Sequence, residues 1–227
     1  MSHHDGSGVF ENCADALRSA PVRDVYDILP RLCVCKDKGL LPVVAELLFS
    51  GDRDREELAA CTMAALCDPG GLPHLFGKLD RAETFQWAGS LRLQTAIIEA
   101  IGEIGDDSAS GRLLDLFNRH LKGDRFLRKR RVIILDALGS IALQGGEAAV
   151  DILVGFLDHE DFLVRANTLT NLSNAFWHRP NELPAPVFEK MLTLFRDKNL
   201  YVQYALISAL ENLADVGCRM AADIFAD

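Results

Sequence analysis

DFLVRANTLTNLSNAFWH, residues Asp161 to His178, decides the fold because its pattern recurs along the chain. Its apolar positions Val164, Leu169, Leu172 and Ala175 follow the three-four spacing by which a helix buries one stripe. The stripe returns as Leu58, Met63 and Leu66, as Leu93, Ile98, Ile101 and Ile104, and as Val202, Ile207, Leu210 and Leu213. With Leu66, Ile101, Leu138, Leu172 and Leu210 as centres, the intervals are 35, 37, 34 and 38 residues. That period belongs to stacked helix pairs, in which each pair covers the apolar face of its neighbours.

Working outward, the rest of the chain divides at its turns. Residues 1–8, MSHHDGSG, read as a flexible terminus, and residues 9–18 as a short amphipathic helix. Pro21 suits the first turn of a second helix running to about Cys35, kinked at Pro30. Leu40–Phe49 and Arg53–Cys67 form the next pair, closed by Asp68-Pro69-Gly70-Gly71. Leu72–Gly105 follows, with the connector RAETFQWAGS carrying Phe85 and Trp87. Arg112–Leu121 precedes a long helix, Arg125–Leu143, that stops at Gly145-Gly146. Glu147–Leu157 pairs with the opening stretch; after HRPNELPAP come Val187–Arg196, Leu200–Ala214 and a last short helix in residues 218–227. Period-two alternation is nearly absent. The expected fold is all-α, a right-handed α-α superhelix of about six helix pairs, with residues 9–227 as a single repeat domain.

Composition narrows the function. A 227-residue chain with 49% hydrophobic residues buries a substantial core. Its net charge of -9 opposes a general nucleic-acid coat, which needs a positive field. No apolar run reaches the roughly 18–20 residues that span a bilayer, and no secretory leader is expected, so the chain reads as cytoplasmic. The six cysteines, Cys13, Cys33, Cys35, Cys61, Cys67 and Cys218, read as free thiols. Cys33 and Cys35, two apart on a helix, point in divergent directions, and no metal or cofactor is expected there.

An Asp in the turn followed seven positions later by a residue of the second helix recurs as Asp124 to Arg131, Asp158 to Arg165 and, more weakly, Asp52 to Ala59. With FLVRANTLTNL, ALGSIAL and AIGEIGD, this resembles HEAT repeats, in particular the short bacterial HEAT-like repeats also found in phycobilisome lyases. The resemblance covers about residues 40–215. It implies the solenoid and a ladder of Asp and Arg across stacked turns, in which Gln94 and Gln203 occupy the Arg column. It does not specify an activity. His159-Glu160 is one His-Glu pair where the iron site of deoxyhypusine hydroxylase, another HEAT-repeat enzyme, needs several. No glycine loop or nucleophile elbow stands in the chain.

Two clusters remain as candidate contact sites. Arg128-Lys129-Arg130-Arg131 crowds cations into the start of a helix, where the dipole favours anions; Asp158, Glu160 and Asp161 on the next turn are the expected counter-charges. Asn167, Asn171, Asn174 and then His178 form one polar stripe. Asn171 interrupts a column of small residues, Ala65, Ala100, Ala137 and Ala209, and needs hydrogen bonds if neighbouring helices close on it. Asn174 aligns with Asn212, a pair of rungs suited to an extended peptide, as armadillo proteins, similar in architecture, use asparagine. The expected function is a non-enzymatic scaffold or adaptor binding a protein or peptide through Arg131, Arg165, Asn167, Asn171, Asn174 and Asn212. Phe85, Trp87, Arg128, Lys129 and Arg130 form an expected secondary contact. The alternative is an accessory protein of the HEAT-like phycobilin lyase type, which the resemblance alone supplies.

Overall fold

The structure, a computed structural model, describes residues 38–82, 90–119 and 127–226. The two helices expected in residues 9–35, the cysteines there, and the connector residues Phe85 and Trp87 lie outside the described residues. Every regular element among the described residues is helical. They fall into two compact units, one ending at Ile104 and the other beginning at Gly105.

The first unit contains α1 (Leu41–Leu48), α2 (Arg53–Leu66), α3 (Leu72–Ala82) and α4 (Ser90–Ile104). Asp52 starts α2 as its N-cap, accepting from the backbone N–H groups of Asp54 and Arg55. Cys67 ends it with φ 48°, the left-handed conformation usual after a helix. α1 packs on α2, α3 on α4, and α2 on α4. Glu56, buried near the start of α2, accepts from the Gly51 N–H and pairs with Lys78 of α3 at 2.6 Å. Burying this carboxylate requires that second partner.

The second unit contains α5 (Ser110–Asn118), α6 (Leu127–Leu143), α7 (Glu147–Phe156), α8 (Phe162–Ala175), α9 (Ala185–Leu192), α10 (Leu200–Asp215) and the short α11 (Arg219–Ala222). Sequential packing continues: α6 lies against α5 and α7, α8 against α7, and the long helices α6, α8 and α10 succeed one another side by side. This is the contact pattern of a helical repeat. Leu138, Leu172 and Leu210, the expected centres, each have 0% exposure, as the stripe requires. α8 and α10 begin at Asp161 and Asn199, whose side chains accept from the N–H groups two residues on.

Several core positions are polar, Glu56, Asn171 and Thr168 among them. Thr168 of α8 is wholly buried at the position where α6 has Ile134 and α10 has Leu206, and its hydroxyl has no hydrogen-bond partner among the described residues. A stranded hydroxyl costs about 1–3 kcal/mol. Thr168→Val, nearly isosteric, is therefore expected to raise the urea midpoint and stabilise the chain by about 1 kcal/mol. Leu172→Ala should cost about 2–5 kcal/mol, since it opens a cavity in the same stack. Equal, small effects at both positions would contradict the buried register.

Candidate functional site

The long helices of the second unit share a register that follows from the sequence intervals of 34 and 38 residues. Equivalent positions are then Asp136, Thr170 and Ser208; Ser140, Asn174 and Asn212; Leu143, Trp177 and Asp215. All nine are solvent-accessible to some degree, Ser140 and Asn212 partly and the others openly. They form a surface of three helices by three rungs, rich in hydroxyls and amides and edged by the exposed Leu143 and Trp177.

The asparagines divide into committed and open groups. Asn167 Nδ2 donates to the Leu163 carbonyl at 2.7 Å. Asn171, buried, donates to Asp136 Oδ1 at 3.0 Å and to the Asn167 carbonyl at 3.1 Å. It fits because α6 presents Gly139 opposite: a Cβ built there would lie 2.1 Å from Asn171 Oδ1. The interruption of the alanine column is thus absorbed by a glycine on the neighbouring helix. Asn174 and Asn212, by contrast, make no side-chain hydrogen bond to another described residue; Asn174 is exposed and Asn212 half-buried.

The arginines are engaged within the chain rather than offered to a partner. Arg165 grips Asp197 through Nε at 2.7 Å and Nη2 at 2.9 Å, while Nη1 donates to the His159 and Glu160 carbonyls. The turn before α8 is thereby tied to the turn before α10. Gln203, the equivalent of Arg165, makes the same local bond, donating to the Asp197 carbonyl six residues back at 2.7 Å. It is too short to reach another turn. An Asp–Arg link across stacked turns, the kind the resemblance implies, forms between Arg165 and Asp197, while Asp158 pairs with Lys190 and Asp161 caps α8. Asp124 is outside the described residues.

Arg131 is buried, its guanidinium 4.9 Å from the centre of the Phe117 ring, which packs on Phe156 at 4.3 Å. Arg130 is buried too, so the basic run presents only Arg128 and Lys129 to solvent. Arg128 lies 3.6 Å from Asp161, one of the expected counter-charges. His159 stacks edge-on against Phe117 and Phe156, and its Nδ1 accepts the Asp161 N–H. Burial, and then the charge of Arg131, push its pKa down.

Sequence reasoning missed two further clasps. Asp107 acts as N-cap for α7 from 41 and 42 residues away, taking the Ala148 N–H at 2.9 Å and the Ala149 N–H at 3.0 Å. Gly146 stands at the cap position with no side chain of its own, and a Cβ there would meet Asp107 Oδ1 at 2.7 Å. Burial opposes the Asp107 charge, but these N–H donors and the Ser110 hydroxyl outweigh it and hold the carboxyl below its usual range. Arg179 spans two helix C-termini, donating to the Ala142 carbonyl of α6 at 2.7 Å and the Ala175 carbonyl of α8 at 3.5 Å. A cation belongs at those negative ends. In the first unit, Arg92 and Glu57 form a comparable link between α4 and α2 at 2.9 Å.

Among the described residues no group of three or more His, Cys, Asp or Glu could hold a metal ion. The Cys61 thiol is pushed up by desolvation of its sulfur, although the residue as a whole is exposed, and by Glu57 and Glu99; an activated nucleophile is shifted the other way. No described helix is long and apolar enough to cross a membrane.

No protein-family model matches the chain, and no curated protein matches it. Among solved structures, an engineered protein from the Northeast Structural Genomics Consortium is similar at 18% identity and a TM-score of 0.43, covering 91% of this chain and 97% of that chain. At that score the likeness bears on neither fold nor function.

Two expectations follow. Gly139→Ala should destabilise by more than about 1 kcal/mol, and Asn171→Ala should recover much of the loss; additive effects in a denaturation cycle would contradict the Gly139–Asn171 contact. Acidification should weaken the fold in two stages. His159 has a depressed folded pKa, so below about pH 6.5 the unfolded chain takes up the proton first and stability falls. Asp197 is depressed by its hydrogen bonds from Arg165, so its contribution is complete above about pH 4 and is lost as pH drops through the folded value. His159→Asn should flatten the first stage and Asp197→Asn the second in urea titrations at stepped pH. Unchanged slopes in both variants would contradict these assignments.

Proposed function

We propose that the chain is a cytoplasmic, non-enzymatic scaffold of HEAT-like repeats, a right-handed superhelix of about six helix pairs. In this reading it binds an extended protein segment across the exposed rungs of α6, α8 and α10. One observation carries the reading. Asn174 and Asn212 stand at equivalent positions on adjacent helices with their amides open, while Asn167 and Asn171, two and one turns back, are committed inside the chain.

An amide offers both a donor and an acceptor, the pair of groups that an extended peptide backbone presents at each residue. Neighbouring packed helices lie about 8–10 Å apart, so two such rungs meet backbone groups roughly three residues apart on an extended strand of about 3.3 Å per residue. Thr170 and Ser208 line one side of this row. Leu143 and Trp177 line the other and supply the apolar anchor that such a contact needs, since aromatic side chains dominate interface energetics. Asp136 and Asp215 favour a segment carrying a cation. Arg131 and Arg165 hold the stack from behind this surface. Membrane or nucleic-acid binding has no part in the reading.

The test is affinity capture with the intact chain, followed by mass spectrometry and titration of the captured protein. Replacing Asn174 and Asn212 together by alanine should weaken the captured partner by tenfold or more, about 1.4 kcal/mol, with the melting temperature unchanged. Trp177→Ala should weaken it further. Full retention of affinity in the triple variant would overturn the proposed surface.

A further inference from the structure

The last long helix leaves open the flank that its predecessors cover. Two contacts identify that flank. Phe162, at the start of α8, stacks edge-on against Tyr201 of α10, and Gly139 of α6 closes on Asn171 of α8. The positions equivalent to Phe162 and Gly139 in α10 are Leu200 and Glu211, and between them on the same helical stripe lie Tyr204 and Ile207. In α8 the matching residues Ala166, Leu169 and Ser173 have 3%, 0% and 1% exposure. In α10, Leu200, Tyr204 and Ile207 have 65%, 66% and 36%. Tyr204 and Ile207 thus occupy, in the open, positions that are buried in α8, and Leu200 extends the stripe at the position of the half-buried Phe162.

We propose that this stripe is the interface of a homodimer, α10 packing antiparallel on α10 of a second copy about a two-fold axis near Tyr204. The charge pattern selects this occupant. Arg196 and Lys198 stand exposed just ahead of the helix, Glu211 and Asp215 stand exposed towards its other end, and none has a side-chain partner among the described residues. Lys198 and Glu211 are separated by about 20 Å of helix, with Tyr204 near the midpoint. Antiparallel pairing about that midpoint brings the cations of each copy over the acids of the other, at both ends at once. Such self-complementarity is the property of an isologous contact. The apolar centre supplies the affinity, and the charged ends set the register and direction.

The contact is small against the roughly 800 Å² per partner of a standard interface, so dissociation in the micromolar range is expected. Sedimentation equilibrium of the full chain from about 1 to 500 µM, a span bracketing that range, reads it directly. The expected result is a monomer–dimer equilibrium. Tyr204→Glu should raise the dissociation constant at least tenfold with unchanged helical circular dichroism and melting temperature. Lys198→Glu should weaken the dimer, and Lys198→Glu combined with Glu211→Lys should restore it. A wild-type chain monomeric throughout overturns the pairing and leaves the stripe to a helix of another protein. A dimer indifferent to Tyr204→Glu, or a charge swap without recovery, overturns it as well.

Discussion

α8 lies between α6 and α10 and is buried on two flanks, and the close approach of α6 to α8 shows what that requires. Gly139 and Asn171 meet with no room for a Cβ, so the helices sit near the limit their backbones allow. At that distance every side chain in the column is either small or hydrogen-bonded. Asn171 meets the condition by bonding to Asp136 on the neighbouring helix and to its own preceding turn. The consequence reaches the surface: a helix held this tightly at one rung fixes the placement of the next rung, where Asn174 faces solvent.

Apolar stripes bring helices together, but they slide, since a leucine column tolerates small shifts. The polar clasps remove that freedom. Arg165 and Asp197 lock two turns at the N-terminal ends of α8 and α10; Asp107 caps α7 from the preceding turn; Arg179 binds the C-terminal carbonyls of α6 and α8 together. Asp107 and Arg179 satisfy helix-end groups that would otherwise lack partners. Gln203 marks where this arrangement stops, because it makes only the local half of what Arg165 does. The open flank of α10 lies just beyond.

The helices and their buried centres were legible because they depend on local periodicity repeated five times, a pattern that one sequence displays fully. Starts and ends fell within a few residues of their expected places, since Asp52, Asp161 and Asn199 are readable as caps. The roles of the polar residues were less legible. Whether Asn171 was satisfied depended on Gly139 and Asp136, the latter 35 residues away, and nothing local to the stretch shows that. Arg165 looked available in sequence and is occupied in the structure, because its partner Asp197 belongs to the next turn, 32 residues on. The clasps have separations of 32 to 42 residues, close to the repeat length. The Asp–Arg ladder across stacked turns that the resemblance implies carried the type of link that Arg165 makes but not its partner; pairing opposite charges at one repeat's distance would have found Asp197, and Arg92 with Glu57. Asp107 and Arg179 bind backbone, and no side-chain pairing reveals them.

The account rests on α8 and α10 being stacked in the register that sets Asn174 beside Asn212. Spin labels at these two positions, both accessible, measure that directly by dipolar broadening. Adjacent packed helices place the two backbones about 8–10 Å apart, so strong broadening is expected in the doubly labelled chain and none in either singly labelled one. A separation beyond about 20 Å, more than twice the spacing of packed helices, would contradict the register and the row of open amides with it.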